Sequence, residues 1–148
     1  MTNPWTFAPA AEQAAAVRAG KVSPVELVDL YLERIDEHNE DLRSYVTVGA
    51  DAARAEATSL ADRLASGEEG GPLCGVPVSV KDHVSVPGMP VTWGSGAFRD
   101  RMADHEDAVV RRLREAGAIV LGKTNMPELG VLSVGDTTAF GHARNPWD

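Results

Sequence analysis

The sequence predicts an α/β fold, and three observations carry that prediction: an apolar run at residues 76–80, a helical pattern over residues 104–117, and a second apolar run at residues 118–121. Strand, helix and strand in that order make a βαβ unit. The crossover of such a unit is right-handed in nearly all proteins, and its strands lie parallel with helices packed on them. A length of 148 residues, 43% of them hydrophobic and 24% charged, suits one compact domain with a genuine core.

The elements follow in order. Residues 8–19 are rich in Ala, include Glu12, Gln13 and Arg18, and stop at Gly20, which suits a left-handed helix end. A second helix starts at Ser23-Pro24-Val25-Glu26. Ser23 can accept from the amide three residues on, Pro24 fits the first helical position, and Glu26 can reach back to the Ser23 amide. Leu27, Val28, Tyr31 and Ile35 then recur at helical spacing among charged residues, which carries the helix to about His38.

Residues 44–48, Ser-Tyr-Val-Thr-Val, read as a strand. A third helix spans residues 51–66, with Ala53, Ala57, Leu60 and Leu64 on one face and Gly67 as its stop, before a polar connection at 67–72. The run Val76-Pro77-Val78-Ser79-Val80 is apolar on both alternating faces, the pattern of a strand covered on two sides, with Pro77 at its start or at an unpaired amide. Residues 81–103 hold Pro87, Gly88, Pro90, Gly94 and Gly96. Irregular connections of that length are usually functional or disordered. A fourth helix is predicted from near Asp104, carrying Val109, Val110, Leu113 and Ala116 and closing at Gly117; the strand at 118–121 follows. Residues 1–74 therefore form helices with one strand, and residues 75–148 open a βαβ core.

Charge excludes one class of partner. Fourteen Lys+Arg against twenty-two Asp+Glu give a net charge of −8, which repels a phosphate backbone, so no direct nucleic-acid partner is expected. The single cysteine, Cys74, has no internal disulfide partner and reads as a small buried side chain in a cytoplasmic protein. No apolar run is long enough to cross a bilayer, and the opening MTNPWTFAPA lacks the basic and apolar regions of an export signal.

Several patterns invite a catalytic reading. Gly117-Ala-Ile-Val-Leu-Gly122-Lys123-Thr124 matches the phosphate-loop formula G-x-x-x-x-G-K-T, yet its four middle residues are the strand itself. Amides tied into a sheet cannot also cradle a phosphate. Ser95, in Trp93-Gly94-Ser95-Gly96-Ala97, lacks the flanking pattern of a nucleophile elbow and reads as a turn. His38, His83, His105 and His142 are scattered without zinc spacing, and no metal site or cofactor is expected. Asp82, Asp104, Glu106 and Asp107 offer acid–base chemistry, but carboxylates at a helix start are explained by the helix dipole.

Lys81 stands apart, because the chain has three lysines against eleven arginines and this one sits where an apolar strand meets the long Gly/Pro loop. Ligands of open α/β sheets bind outside the carboxyl ends of strands, where a lysine against apolar walls can lose its proton and act as a base. Read from the residues alone, a lysine paired with Asp82 is the more economical alternative. On the same rim lies Gly122-Lys123-Thr124-Asn125-Met126-Pro127-Glu128. Asn125 and Glu128 have capping-box spacing for a short helix, and Asn125 is also a candidate substrate-binding residue.

Four segments then carry a family resemblance: GVPVSVKD at residues 75–82, GSGAF at 94–98, DAVVRRLREAGAIVLGKTNMPE at 107–128, and FGHARNPWD at 140–148. In order and in register, spanning about half the chain, they resemble the N-terminal part of an amidase signature enzyme. Both general amidases and the A subunit of glutamine-dependent tRNA amidotransferases share this pattern. The resemblance implies an α/β/α layered fold with a mixed sheet flanked by helices, and a Ser–cisSer–Lys triad in which Lys81 matches the lysine. That implication reverses the choice between base and paired lysine. The family's two serines and oxyanion amides lie in a Gly/Ser-rich segment beyond the NPWD tract, and none of Ser79, Ser85, Ser95 or Ser133 stands in the matching place.

The chain is therefore expected to be one incomplete domain, supplying one triad member of three and inactive alone. Its expected partners are a small-molecule amide and the missing C-terminal part of the same enzyme. A role within a tRNA amidotransferase is one alternative. A non-catalytic binding or assembly module, including a homodimer through the apolar stripes of the N-terminal helices, is another.

Overall fold

A computed structural model of the chain describes residues 3–131 and 137–147. Among the described residues, four helices, α1 (Ala10–Arg18), α2 (Pro24–Leu42), α3 (Ala50–Ala65) and α4 (Ala108–Glu115), are interleaved with three strands, β1 (Tyr45–Val48), β2 (Pro77–Lys81) and β3 (Ile119–Thr124). Single 3-10 turns lie at Pro4–Phe7, Gly96–Phe98 and Glu128–Gly130. The strand order is β1-β3-β2. β1 runs antiparallel to β3, with Tyr45 opposite Thr124 and Val48 opposite Gly122. β2 and β3 are parallel, because partner numbers rise together from Ile119 N donating to Val76 O to Asp82 N donating to Thr124 O. The sheet is mixed, as the family resemblance implies.

By Cα proximity the chain divides into two compact units, each built from separated stretches: Met1–Arg34 with Gly49–Val78 and Arg111–Leu121, and Ile35–Val48 with Ser79–Val110 and Gly122–Asp148. The first unit has an aliphatic core. Ala14, Val17, Leu27, Val28, Ala53, Ala57, Leu60, Cys74, Ile119, Val120 and Leu121 are buried there. Its start and stop signals behave as the residues dictate. The Ser23 hydroxyl accepts from Glu26 N at 3.0 Å, while the Glu26 carboxylate accepts from Ser23 N at 2.7 Å. At the end of α4, Gly117 adopts φ +92° and donates to Arg114 O while Ala118 donates to Leu113 O. This double bond set satisfies carbonyls that a helix end leaves unpaired, and a Cβ-bearing residue adopts that φ only with strain. The same pair of bonds closes α1 at Gly20 and Lys21, and α3 at Gly67 and Glu68.

The second unit holds β1, the loop after β2, and residues from Gly122 onward. Glycine is required at Gly122 by contact: a Cβ there would sit 2.2 Å from the Thr47 carbonyl oxygen of the paired strand. The long loop is ordered by a bridge between Pro90 and Met102 and by the 3-10 turn that Ser95 caps through its hydroxyl.

Four expectations need correction. α2 runs to Leu42 rather than His38. Its last turns carry no apolar stripe, and the Asn39 side chain, bonded to the Tyr45 amide and carbonyl at 2.7 and 3.0 Å, ties them to the next strand. α4 starts at Ala108 rather than near Asp104, because Asp107 is held to the loop instead: its carboxylate accepts from Ser85 N at 2.7 Å and its amide donates to Ser85 O. β2 is not covered on both faces. It lies at one edge of the strand order with Ser79 and Lys81 exposed, and the strand buried along nearly its whole length, from Ile119 to Lys123, is β3. β3 in turn continues past Leu121 to Thr124, so Gly122 and Lys123 are strand residues.

Candidate active site

Lys81 is the last residue of β2, and its side chain is exposed. The Lys81 carbonyl accepts from Val84 N at 2.9 Å, closing a turn directly after the strand. The neighbouring carboxylate does not pair with it. Asp82 is fully buried and belongs to a polar cluster built from β3 and the loop. Its Oδ2 accepts from Thr92 Oγ1 at 2.5 Å and from Gly94 N at 3.1 Å, and its Oδ1 lies 3.6 Å from the Lys123 Nζ. Among the described residues Lys81 has no ion pair, so the paired-lysine alternative loses its partner.

Asp82 is paired instead with another lysine. Lys123 is fully buried in β3, and its ammonium donates to the Asp82 carbonyl at 3.0 Å and the Pro90 carbonyl at 2.9 Å. Three donors and no acceptor make an ammonium well suited to gathering carbonyl and carboxylate oxygens. Burial pushes its pKa below the ordinary value, opposed chiefly by the Asp82 charge. Lys123 is the residue that periodicity missed. The signal available for it was a lysine within two residues of an apolar run, in a chain with three lysines, beside a strand that ends in Lys81-Asp82.

The backbone around the cluster is constrained. Trp93 holds φ +54°, a conformation costing an ordinary side chain about 1 kcal/mol or more. It is fixed there by Gly94 N on Asp82 and by Leu129 N on the Trp93 carbonyl. Gly94, at φ +68°, has no room for a Cβ, which would lie 2.6 Å from the Met126 carbonyl oxygen. Thr137 Oγ1 donates to the Gly94 carbonyl on its other side.

Ser95 is buried, and its hydroxyl donates to Glu128 Oε1 at 2.6 Å. Thr138 Oγ1 donates to the other oxygen of the same carboxylate at 2.9 Å. These two bonds hold the Glu128 carboxyl below the usual carboxylate range. Glu128 therefore does not cap a helix with Asn125, as their spacing had implied; the single turn at Glu128–Gly130 has no side-chain cap. Asn125 Nδ2 instead donates to the Arg43 and Gly141 carbonyls at 3.0 and 3.2 Å, and its Oδ1 is buried without a hydrogen bond among the described residues. The Asn125 amide donates to Ser44 O, just before β1, and Asn125 directly follows β3, so it lies, like Lys81, at the carboxyl end of one of the two parallel strands. Of the other serines, Ser79 is exposed on β2 and Ser85 is bound through its backbone to Asp107, while Ser133 lies outside the described residues, as does Asp148.

The phosphate-loop match is absorbed by this geometry, since its Gly117 is a helix stop and Ile119–Thr124 is β3. Among the described residues no group of three or more His, Cys, Asp or Glu is placed to hold a metal ion, and no helix is long and apolar enough to cross a membrane.

Comparison with known proteins bears on the same segments. The Amidase family model matches residues 26–148. A Mycobacterium tuberculosis H37Rv protein named "Putative amidase AmiB2" is 45% identical over 141 residues, covering 95% of this chain and 30% of that protein. The A subunit of the glutamyl-tRNA(Gln) amidotransferase of Halorhodospira halophila is 46% identical over 138 residues, covering 93% of this chain and 28% of its own length. Among solved structures, a bacterial aryl acylamidase of the amidase signature enzymes superposes with a TM-score of 0.93 at 32% identity, covering 99% of this chain and 31% of that one. The chain thus spans about 30% of the length of the curated relatives it matches.

Proposed function

The chain belongs to the amidase signature family, and from that premise we propose that it forms the first part of an enzyme hydrolysing carbon–nitrogen amide bonds, to which it supplies Lys81 of a Ser–cisSer–Lys triad. One observation carries the reading: Lys81 ends β2 with an exposed side chain, and the carboxylate beside it is already occupied by another cation. An amine without a carboxylate partner is free to hydrogen-bond to hydroxyl groups arriving from sequence beyond this segment.

In the proposed reaction the Lys81 amine takes a proton from a bridging serine, which takes one from the nucleophilic serine. The nucleophile's oxygen bonds to the amide carbon, and backbone amides hold the oxyanion. Collapse breaks the C–N bond, the amine leaves with the proton relayed back from Lys81, and water releases the acid by the same relay. Asn125 enters this reading as a pocket-lining residue, with Oδ1 as an acceptor for a substrate N–H.

The test is amide hydrolysis by the polypeptide expressed from the full reading frame, with Lys81→Ala beside it. The variant is expected to lose about 10³-fold or more in kcat with its melting temperature unchanged. Near-normal turnover by the variant overturns the role of Lys81, and turnover by the 148-residue segment alone overturns its division of labour with outside serines. The 46% identity to the A subunit of an amidotransferase supports a second reading, in which the released ammonia passes to an acyl acceptor instead of to solvent. Glutaminase activity that rises on adding the other components of such a complex is its distinguishing result.

A further inference from the structure

A buried ion pair replaced by apolar residues of similar volume often leaves a protein as stable or more so, so stability alone does not account for the Lys123–Asp82 pair. Here Lys123 stands in the buried strand β3 two residues after the apolar run Ile119, Val120 and Leu121. Its hydrogen bonds also share a target, because every one of them falls on the segment that leaves Lys81. The Lys123 ammonium grips the Asp82 and Pro90 carbonyls and so joins both ends of the loop 82–90. The Asp82 amide is fixed to Thr124 O, and the Asp82 carboxylate is fixed by Thr92 and Gly94. The residue following Lys81 is thus held by its amide, its carbonyl and its side chain, all without exposure to water.

We propose that Lys123 is a positioning residue: through Asp82 and the Pro90 carbonyl it locks the turn leaving β2, and so fixes the direction in which Lys81 leaves the sheet. This rests on the reading of Lys81 given above. Lys123 itself stays out of the proton relay, since its donors are committed to backbone and carboxylate oxygens in the interior. Misplacing a catalytic group by about 1 Å costs about 10²-fold in rate, which sets the size of effect expected.

The experiment uses the full-length enzyme with an amide substrate and compares Lys123→Met, Thr92→Val, Thr92→Ser, Lys81→Ala and the double variant Lys81→Ala/Lys123→Met. Lys123→Met is expected to lower kcat about 10²-fold with KM unchanged. Thr92→Val, which removes one donor to Asp82 at constant shape, should lower kcat about tenfold, and Thr92→Ser should restore it. The double variant should fall no further than Lys81→Ala alone, because Lys123 acts through Lys81. A purely structural lysine would instead reduce folded enzyme by the same factor in both backgrounds, and multiplying losses would overturn the proposal. If Lys123→Met does not fold, the Thr92 pair decides, and wild-type kcat in Thr92→Val overturns it. An inactive Lys81→Ala with fully active Lys123→Met and Thr92→Val sinks the positioning role alone, whereas an active Lys81→Ala sinks the triad reading and this role together.

Discussion

The two compact units of the chain have interiors of different kinds. In the first, the buried side chains are almost all aliphatic, and Thr6 and Gln13 are the polar exceptions among the described residues. In the second, Val80, Val86, Met89, Val91, Val110 and Met126 share the interior with Asp82, Ser85, Thr92, Ser95, Lys123 and Thr137. An aliphatic core is non-directional and tolerates repacking, whereas a polar core is high-stakes, since each group needs its partner at the right distance. The residue assigned to chemistry, Lys81, lies in the unit with the polar interior. That is where orientation, rather than mere burial, is being specified.

The contrast can be broken at its most polar point. Lys123→Ala strips the buried Asp82 carboxylate of its cation and should destabilise the protein by about 3–5 kcal/mol in urea denaturation. Replacing both members, as Lys123→Met with Asp82→Asn, which keeps an acceptor oxygen for Thr92 and Gly94, should recover part of that loss. Failure to recover would mean that the pair is intrinsically stabilising, contrary to the account. In the aliphatic unit, Leu27→Ala removes a fully buried side chain and should cost about 3 kcal/mol, with no partner substitution able to rescue it. A measured loss below about 1 kcal/mol would deny the first unit its close-packed core.

The smallest effect is a pH dependence in the second unit. The Glu128 carboxyl is held below its ordinary value near 4.5 by Ser95 and Thr138. Its contribution to stability is therefore present above that value and is lost as pH falls through the lowered folded value. Glu128→Gln should flatten the acid limb of the stability curve and leave the curve above about pH 6 parallel to wild type. An unchanged acid limb would show that the two hydroxyl bonds do not favour the charged form.

What could be read from the sequence follows the same division. Helix stops are local events, so Gly20, Gly67 and Gly117 announced α1, α3 and α4, and Ser23 with Glu26 announced α2. α4 starts later than the carboxylates at 104–107 suggest, because they answer to other partners. Asp107 binds Ser85, and Asp104 accepts the His105 ring nitrogen at 2.7 Å. β3 extends beyond its apolar run, which ends at Leu121, because Gly122 and Lys123 are kept in the strand by pairing with β1. The residues alone did find a lysine–aspartate pair at the end of β2, but attached it to Lys81. The cation on Asp82 comes from forty-one positions away, a separation that no periodicity reports. Family resemblance carries the role proposed for Lys81, and the Lys123 pair is the reason that the carboxylate beside Lys81 is not bound to it.

The central claim is that the Lys81 amine moves the proton that lets a serine form an acyl-enzyme. Its most direct measurement is the pre-steady-state burst of aniline released from an aryl amide by the full-length enzyme, mixed rapidly with substrate. Wild type should show a burst matching the enzyme concentration, provided deacylation is the slower step, with single-turnover acylation slowed about 10³-fold in Lys81→Ala. An undiminished acylation rate in Lys81→Ala, with the protein folded as judged by its melting temperature, would contradict the account.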